Sequence, residues 1–150
     1  MTKLATSIET VFYEFSKYVG WLPGLLSRIV VGSVFAEAGW GKFHHMEKVI
    51  GYFTSLGIPA AQYQAPFVAG VELICGSLFL VGCFSRLASI PLMIIMGVAL
   101  MTAKRAEIHG LTELFAIYEF VYIVVLSWVC IKGPGGVSLD RFLFKSVDSH

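Results

Sequence analysis

Residues 67–83 read FVAGVELICGSLFLVGC, an apolar stretch with a single charged side chain, Glu72. A run of this length predicts a buried or membrane-spanning helix. A carboxylate in such a helix is energetically expensive, so it normally faces the interior of a helical bundle and has a partner there. Gly76 follows one turn later, and glycine on a membrane helix lets a neighbouring backbone approach closely. The stretch therefore predicts the centre of a small membrane bundle, in which Glu72 is either a functional group or a structural hydrogen-bonding group.

The composition of the whole chain favours lipid as its solvent. Of its 150 residues, 57% are hydrophobic and 14% are charged, whereas soluble domains carry about 25% charged residues. The mean hydropathy is +0.77, and a soluble domain of this length could not bury so much apolar surface. The net charge of +1 provides no basic surface for nucleic acid. We expect one domain over residues 1–150, embedded in the lipid bilayer.

Four apolar segments predict an all-α fold, a bundle of four transmembrane helices. We expect the spans at about residues 22–40, 64–83, 87–103 and 111–131. Pro91 lies inside the third span, where a membrane helix tolerates it. The run GPGGVSLDRFLF, which begins at Gly133, ends the fourth span because Gly and Pro do not continue a helix.

Two amphipathic segments are expected to lie flat on the membrane surface. The first is an N-terminal helix, whose apolar residues recur at helical spacing: Ile8, Val11, Phe12, Phe15 and Val19. The second is a short helix between spans one and two, with an apolar stripe formed by Met46, Val49, Ile50 and Phe53.

Basic residues orient the predicted bundle. Four spans place both termini on one side, together with Lys3, Lys17, Arg86, Lys132, Arg141 and Lys145. The other side carries Lys42, Lys48, Lys104 and Arg105. Because cytoplasmic loops are enriched in Lys and Arg, this excess favours both termini in the cytoplasm.

Ionisable residues in or beside the spans form a candidate intramembrane site: Arg28, Glu37, Lys42, Glu72, Glu113 and Glu119. Except for Arg28, their predicted positions lie towards one half of the bundle. Arg28 either extends to the lipid headgroups or points inward to a carboxylate, and the nearby Gly32 and Gly39 favour the inward orientation. Glu72, Glu119 and Arg28 would then form a buried hydrogen-bonded group. Such a group would pass protons or bind the polar head of a quinone, or it would only hold the helices together.

The sequence predicts no resident metal. His44 and His45 are the only candidates, but adjacent side chains diverge on a helix, and zinc or copper sites usually need three or four convergent ligands. The three cysteines, Cys75, Cys83 and Cys130, contain no CxxC pair. We expect them to be free residues that pack as small hydrophobes. The alternative is a disulfide between Cys83 and Cys130, which fall near the same face of the membrane.

Several short motifs follow one another in a recognisable order. The first span contains Arg28 and ends in AGWGK at 38–42, and it is followed by GIP at 57–59, GVEL at 70–73, Gly82 to Arg86, and GPGGVSLD at 133–140. Over about residues 22–143 this pattern resembles the DoxX family of small four-helix membrane proteins, which includes the DoxD-like subunits. The resemblance implies a multi-pass protein of the bacterial inner membrane. The positions that match the family motifs include Arg28, Lys42, Glu72 and the turn at 133–135. The resemblance implies no catalytic mechanism.

The resemblance also implies a function. Members of the DoxX family are associated with membrane redox chemistry, including thiosulfate:quinone oxidoreductase and partners of a terminal oxidase. We therefore expect a redox-associated subunit that binds quinone or relays protons for a membrane oxidoreductase. The sequence has no flavin, dinucleotide, haem or iron–sulfur motif, so electrons would come from a partner or a bound organic cofactor. The alternatives are a structural or assembly subunit, held among other subunits or further copies of itself, and a small-molecule transporter. Whether the chain is itself an enzyme stays open.

Overall fold

The structure, a computed structural model, describes residues 13–105, 108, 110–133, 135 and 138–140. Within these residues all regular structure is helical, which confirms the all-α prediction. A helical stretch covers residues 13–19. It is followed by α1 (Leu22–His44), α2 (Met46–Ser55), α3 (Ala61–Val81), α4 (Ser85–Met101), α5 (Leu111–Ala116) and α6 (Tyr118–Lys132).

Two of these helices are long and apolar enough to cross a membrane: α1 with 23 residues and α3 with 21. Helix α4 is also apolar but shorter, with 17 residues. Large apolar side chains are exposed on several helices, for example Ile74 on α3, Leu87 on α4 and Val124 on α6. Many large apolar side chains exposed on one molecule are typical of contact with lipid or protein.

The expected fourth span, residues 111–131, is not one continuous helix. Ile117 has extended backbone angles, with φ −80° and ψ 125°, and it separates α5 from α6. The carbonyl of Ile117 accepts hydrogen bonds from the N–H groups of Phe120 at 3.1 Å and Val121 at 3.4 Å. A new helix therefore begins after the break, and Glu119 lies buried in its first turn.

Helices α1 and α3 form a close antiparallel pair. Glycines line their contact, with Gly32 against Leu80, Gly76 against Ala36, and Gly39 against Leu73. A methyl group added at Gly76 would lie 2.6 Å from the backbone nitrogen of Ala36, which is too close for any real contact. The two backbones can approach only because these positions lack a side chain.

The chain turns sharply between α3 and α4. Gly82 ends α3 in the left-handed region with φ +80°, and Phe84 also has a positive φ, +50°. The N–H of Cys83 bonds to the carbonyl of Leu78 at 2.9 Å, as in a Schellman motif. Helix α4 then packs against both α3 and α6, while α2 packs mainly against α3.

The interior has two different halves along the long axis of the helices. In the first, which we call the core half, the start of α1, the end of α3, the start of α4 and the end of α6 enclose a continuous apolar core: Val31, Phe35, Phe79, Ala88, Leu92, Met96, Leu126 and Val129. In the opposite half, which we call the cavity half, the other ends of the same helices surround an open space. Phe35 and Tyr122, with ring centroids 5.8 Å apart, lie between the two halves.

The two amphipathic segments are described to different extents. Ile8, Val11 and Phe12 of the N-terminal segment lie outside the described residues, whereas Phe15 lies in the helical stretch 13–19 and is 65% exposed. The short helix expected between the first two spans is α2, none of whose residues is fully buried.

Candidate functional site

A cavity of about 560 Å³ occupies the cavity half. Residues of α1, α2, α3, α4 and α6 line it, and most of them are aliphatic or aromatic. The charged residues of its wall are Lys42, Glu72, Lys104 and Glu119. Apolar walls with a few polar groups are typical of sites for small organic ligands, and the volume lies within the usual range for such sites.

Lys42 and Glu72 form an ion pair in the wall of the cavity. Lys42 lies near the end of α1, and the antiparallel register brings it beside Glu72 on α3, where its Nζ donates a hydrogen bond to Glu72 Oε2. The Glu72 side chain is 4% exposed and that of Lys42 is 26% exposed. The buried carboxylate thus has the cationic partner that a charge in an apolar helix requires.

Glu119 is the second acid in the wall. It is 5% exposed, and its Oε2 is buried without a hydrogen-bond partner among the described residues. It follows directly after the break at Ile117 and lies between two aromatic residues of the same wall, Tyr118 and Tyr122. The sequence predicted Glu119 as a site residue but not the tyrosines, although the pattern YEFVY places all three within about one helical turn.

Arg28 lies in the core half, away from the cavity. Its side chain is buried, as expected for the inward orientation, and its guanidinium packs against Gly82. Because Gly82 follows Glu72 by ten residues, about 15 Å separate these positions along α3. The structure therefore does not form the expected group of Arg28, Glu72 and Glu119. Among the described residues, Asp140 is an acid whose negative charge acts on Arg28.

Asp140 joins the end of the described chain to the turn between α3 and α4. Its Oδ1 accepts a hydrogen bond from the N–H of Phe84 at 2.6 Å, and its Oδ2 accepts one from Ser85 at 3.1 Å. Its own N–H donates to the carbonyl of Gly82 at 2.9 Å. Sequence reasoning did not assign this role, and the available signal was an acid that closely follows the glycine-rich turn at 133–136.

The remaining candidates lie outside the cavity wall. Glu37 and Glu113 are both exposed. His44 and His45 are exposed too, and their Nδ1 atoms lie 3.0 Å from the carbonyl of Trp40 and 3.1 Å from that of Gly41. Within the described part of the chain, no three His, Cys, Asp or Glu residues are grouped so that they could hold a metal ion. All three cysteines are free, and the thiol of Cys130 faces the carbonyl of Arg86 at 3.7 Å.

Three bacterial proteins resemble this chain over most of its length. The "Uncharacterized membrane protein Rv3486" of Mycobacterium tuberculosis is 35% identical over 132 residues, with 79% of each chain covered. The "Putative oxidoreductase CatD" of Bacillus subtilis is 30% identical, with 81% of this chain and 87% of its own length covered. The "Inner membrane protein YqjF" of Escherichia coli is 27% identical, with 81% and 92% covered. No solved structure matches the chain.

The DoxX family pattern matches residues 24–105, which include α1 from its third residue, all of α2, α3 and α4, and both members of the Lys42–Glu72 pair. This match confirms the resemblance seen in the sequence motifs. The chain belongs to the DoxX family of membrane proteins.

Proposed function

We propose that this protein is a redox-associated subunit of the bacterial inner membrane that binds a quinone in the cavity described above. The observation that carries the proposal is the combination, in one cavity, of apolar walls with an ion pair and a further buried acid. A quinone has the same division, with an apolar ring and tail and a pair of polar oxygens. The name of the Bacillus subtilis relative, which is that of an oxidoreductase, and that of the Escherichia coli relative, an inner membrane protein, agree with it.

The charged residues of the cavity suit the proton chemistry of a quinone. Reduction of a quinone to its quinol takes up two electrons and two protons, and oxidation releases them. The carboxyl groups of Glu72 and Glu119 can exchange protons with groups in the cavity, while the ammonium groups of Lys42 and Lys104 can donate hydrogen bonds to a quinone carbonyl. The electrons would come from, or go to, an oxidoreductase partner in the membrane.

The proposal includes a topology of four spans: α1, α3, α4, and α5 together with α6. Helix α4, with 17 residues, is about 25 Å long, and α6, with 15, is about 22 Å long. Both approach the thickness of the hydrocarbon core, which is about 30 Å.

With both termini in the cytoplasm, the cavity half lies in the outer leaflet. A C-terminal green fluorescent protein should therefore fluoresce and a C-terminal alkaline phosphatase should stay inactive; the reverse result would contradict this orientation.

Quinone binding is tested directly with the purified protein in lipid nanodiscs. Titration with ubiquinone-1, followed by quenching of tryptophan fluorescence, should show saturable binding with one site per chain. Ala99 lines the cavity, whereas Ala116 on α5 is exposed and does not. Ala99→Phe should fill part of the cavity and weaken binding at least about tenfold, and the control Ala116→Phe should leave binding unchanged.

The result also separates the alternatives. Quenching that never saturates and is alike in all three proteins would reflect partition of the quinone into lipid and would overturn the proposal. Stoichiometric protein partners without quinone binding would favour a structural or assembly subunit. Uptake of a solute by liposomes that contain only this protein would favour a transporter.

A further inference from the structure

We infer that Glu119 accepts a hydrogen bond from a hydroxyl group of the ligand, so that the cavity binds the reduced quinol more tightly than the oxidised quinone. This inference rests on the proposed function, because it names the form of the ligand that the same cavity selects. It concerns a residue that lies outside the matched segment 24–105.

The first observation is the unsatisfied oxygen of Glu119. The residue is 5% exposed and lines the cavity, and its Oε2 has no hydrogen-bond partner among the described residues. Most buried polar atoms in native proteins have such a partner, and each exception requires an explanation. The terminal torsion of a glutamate is broad and two-fold, so its rotation exchanges the two oxygens. Because Oε2 lies beneath the surface of the wall, the side chain has to turn towards the cavity before a ligand group there can supply the missing hydrogen bond.

The second observation is the helix break at Ile117. It is independent of the first, because it depends on the backbone and not on a side-chain contact. The extended residue Ile117 starts α6 beside the cavity and places Glu119 in its first turn. In secondary transporters, helices interrupted in this way often direct a helix terminus at the bound substrate. The N-terminal end of a helix dipole also favours negative charge, which suits a carboxylate at this position.

When its carboxyl group is ionised, Glu119 can only accept hydrogen bonds. Two carboxylates, Glu72 and Glu119, and two ammonium groups, Lys42 and Lys104, line the cavity. Glu72 already accepts a hydrogen bond from Lys42. The partner of the ionised Glu119 carboxylate in the cavity therefore has to be a hydrogen-bond donor. The ring oxygens of a quinone are acceptors, whereas those of a quinol carry O–H donors, and a hydrogen bond from a hydroxyl to a carboxylate is among the stronger ones.

The test compares the two redox forms of one ligand. Ubiquinone-1, and ubiquinol-1 prepared by borohydride reduction, are each titrated without oxygen into the nanodisc-embedded protein by isothermal calorimetry. The parent protein should bind the quinol about tenfold more tightly than the quinone, as one charge-assisted hydrogen bond allows. Glu119→Gln should lower quinol affinity by about the same factor and change quinone affinity by less than about threefold. Glu113→Gln, an exposed acid on α5 outside the cavity wall, is the matched control and should change neither.

Each outcome decides the inference. Equal affinities for the two forms in the parent protein, or a preference for the quinone, would overturn the role of Glu119 and leave quinone binding intact. A loss of both affinities by the same factor in Glu119→Gln would show a structural role and would also overturn it. If neither form binds, the proposed function fails together with the inference. If Glu119→Gln does not fold, the ratio measured in the parent protein still decides.

Discussion

The side chain of Glu72 is almost completely buried, and Lys42 is the residue that makes its charge tolerable. An ionised carboxylate in an apolar environment requires a cation and hydrogen bonds, and a buried ion pair that loses one member leaves an uncompensated charge. The ammonium of Lys42 lies at the edge of the cavity, so it can stabilise Glu72 and also face a ligand. The pair thus joins a structural role and the proposed binding role at one place.

Removal of Lys42 should therefore be more damaging than removal of an exposed lysine. We expect Lys42→Met to lower the free energy of unfolding by about 3 kcal/mol, because Glu72 stays buried without its partner. Unfolding in mixed micelles with increasing dodecyl sulfate measures this loss. Lys48→Met on α2, where the lysine is exposed, is the control and should change stability by less than about 0.5 kcal/mol.

The double variant Lys42→Met/Glu72→Gln separates a missing charge partner from general damage. It should recover most of the lost stability, since no charge is left to compensate. Equal losses for Lys42→Met and Lys48→Met, or no recovery in the double variant, would contradict this role of the pair.

Individual residues differ in how far the sequence predicts them. Glu72 was predicted to be buried with a partner, because a charge inside an apolar helix has few alternatives. The burial of Arg28 was predicted as well, but Glu72 and Glu119 were expected near it and the structure has Asp140 there instead. Helical periodicity relates residues on one helix, whereas Asp140 reaches the turn beside Arg28 from a distant part of the chain. Such a contact depends on how the chain folds back, which local patterns do not contain.

At the level of the helices, the fit of α1 against α3 depends on glycine. A side chain added at Gly39 would collide with the backbone of α3 at Leu73 and Ala69, whereas one added at Gly41 would meet nothing within 4 Å. The two positions lie two residues apart on the same helix, so alanine changes the helix propensity equally at both, while only Gly39 faces α3. They therefore provide a matched pair for a test of close packing.

We expect Gly39→Ala to destabilise the protein by about 1–3 kcal/mol, because α1 and α3 would have to separate to admit the methyl group. Gly41→Ala should be neutral or stabilise by up to about 1 kcal/mol, because alanine favours the helical conformation and has free space there. Thermal unfolding of both variants in the same detergent measures the difference. Equal effects would show that the α1–α3 contact is looser than the structure has it.

Asp140 stabilises the start of α4 from outside the helix. Its carboxylate satisfies the N–H groups of Phe84 and Ser85, which have no partner within the helix itself. Asp140→Ala should lower stability by about 1–2 kcal/mol, as expected for loss of a helix cap. Asp140→Asn keeps one acceptor oxygen and should lose less than the alanine variant. The same unfolding assay measures both losses. An equal loss in the two variants would show that the negative charge of Asp140 near Arg28, and not its hydrogen bonds, stabilises the turn.

The elements themselves were largely predictable, and the exceptions have physical causes. The apolar runs predicted the helical segments of α1, α3 and α4, because length and hydropathy determine them. The break at Ile117 was missed, since the sequence has neither glycine nor proline at that point. The break places an acid and two tyrosines at the cavity. This placement depends on tertiary contacts, which the sequence of residues 111–131 alone does not reveal.

In the whole molecule, a packed half and an open half are built from the same helices. The core half has Phe79, Leu92 and Leu126 completely buried, while the cavity half has apolar and charged side chains around an open space. Composition predicted a membrane bundle but not this division, because apolar residues that face a core, a cavity or lipid have the same hydropathy. The division suggests that one half maintains the fold and the other can adapt to a ligand.

The two halves should therefore differ in local stability. Segments with few buried contacts open more readily than core segments, and hydrogen exchange reports that opening.

In lipid nanodiscs, amides of residues 111–122, which lead into the cavity, should exchange at least about tenfold faster than those of residues 123–132, which pack in the core half. Both segments belong to the same proposed span, and each lies near one end of it, so the second is an internal control for exposure at the membrane surface. Saturating ubiquinol-1 should slow exchange in residues 111–122 and leave residues 123–132 unchanged, because only the first segment contains Tyr118, Glu119 and Tyr122. Uniform exchange along the span, or equal slowing of both segments by the ligand, would contradict a rigid core half joined to an adaptable cavity half.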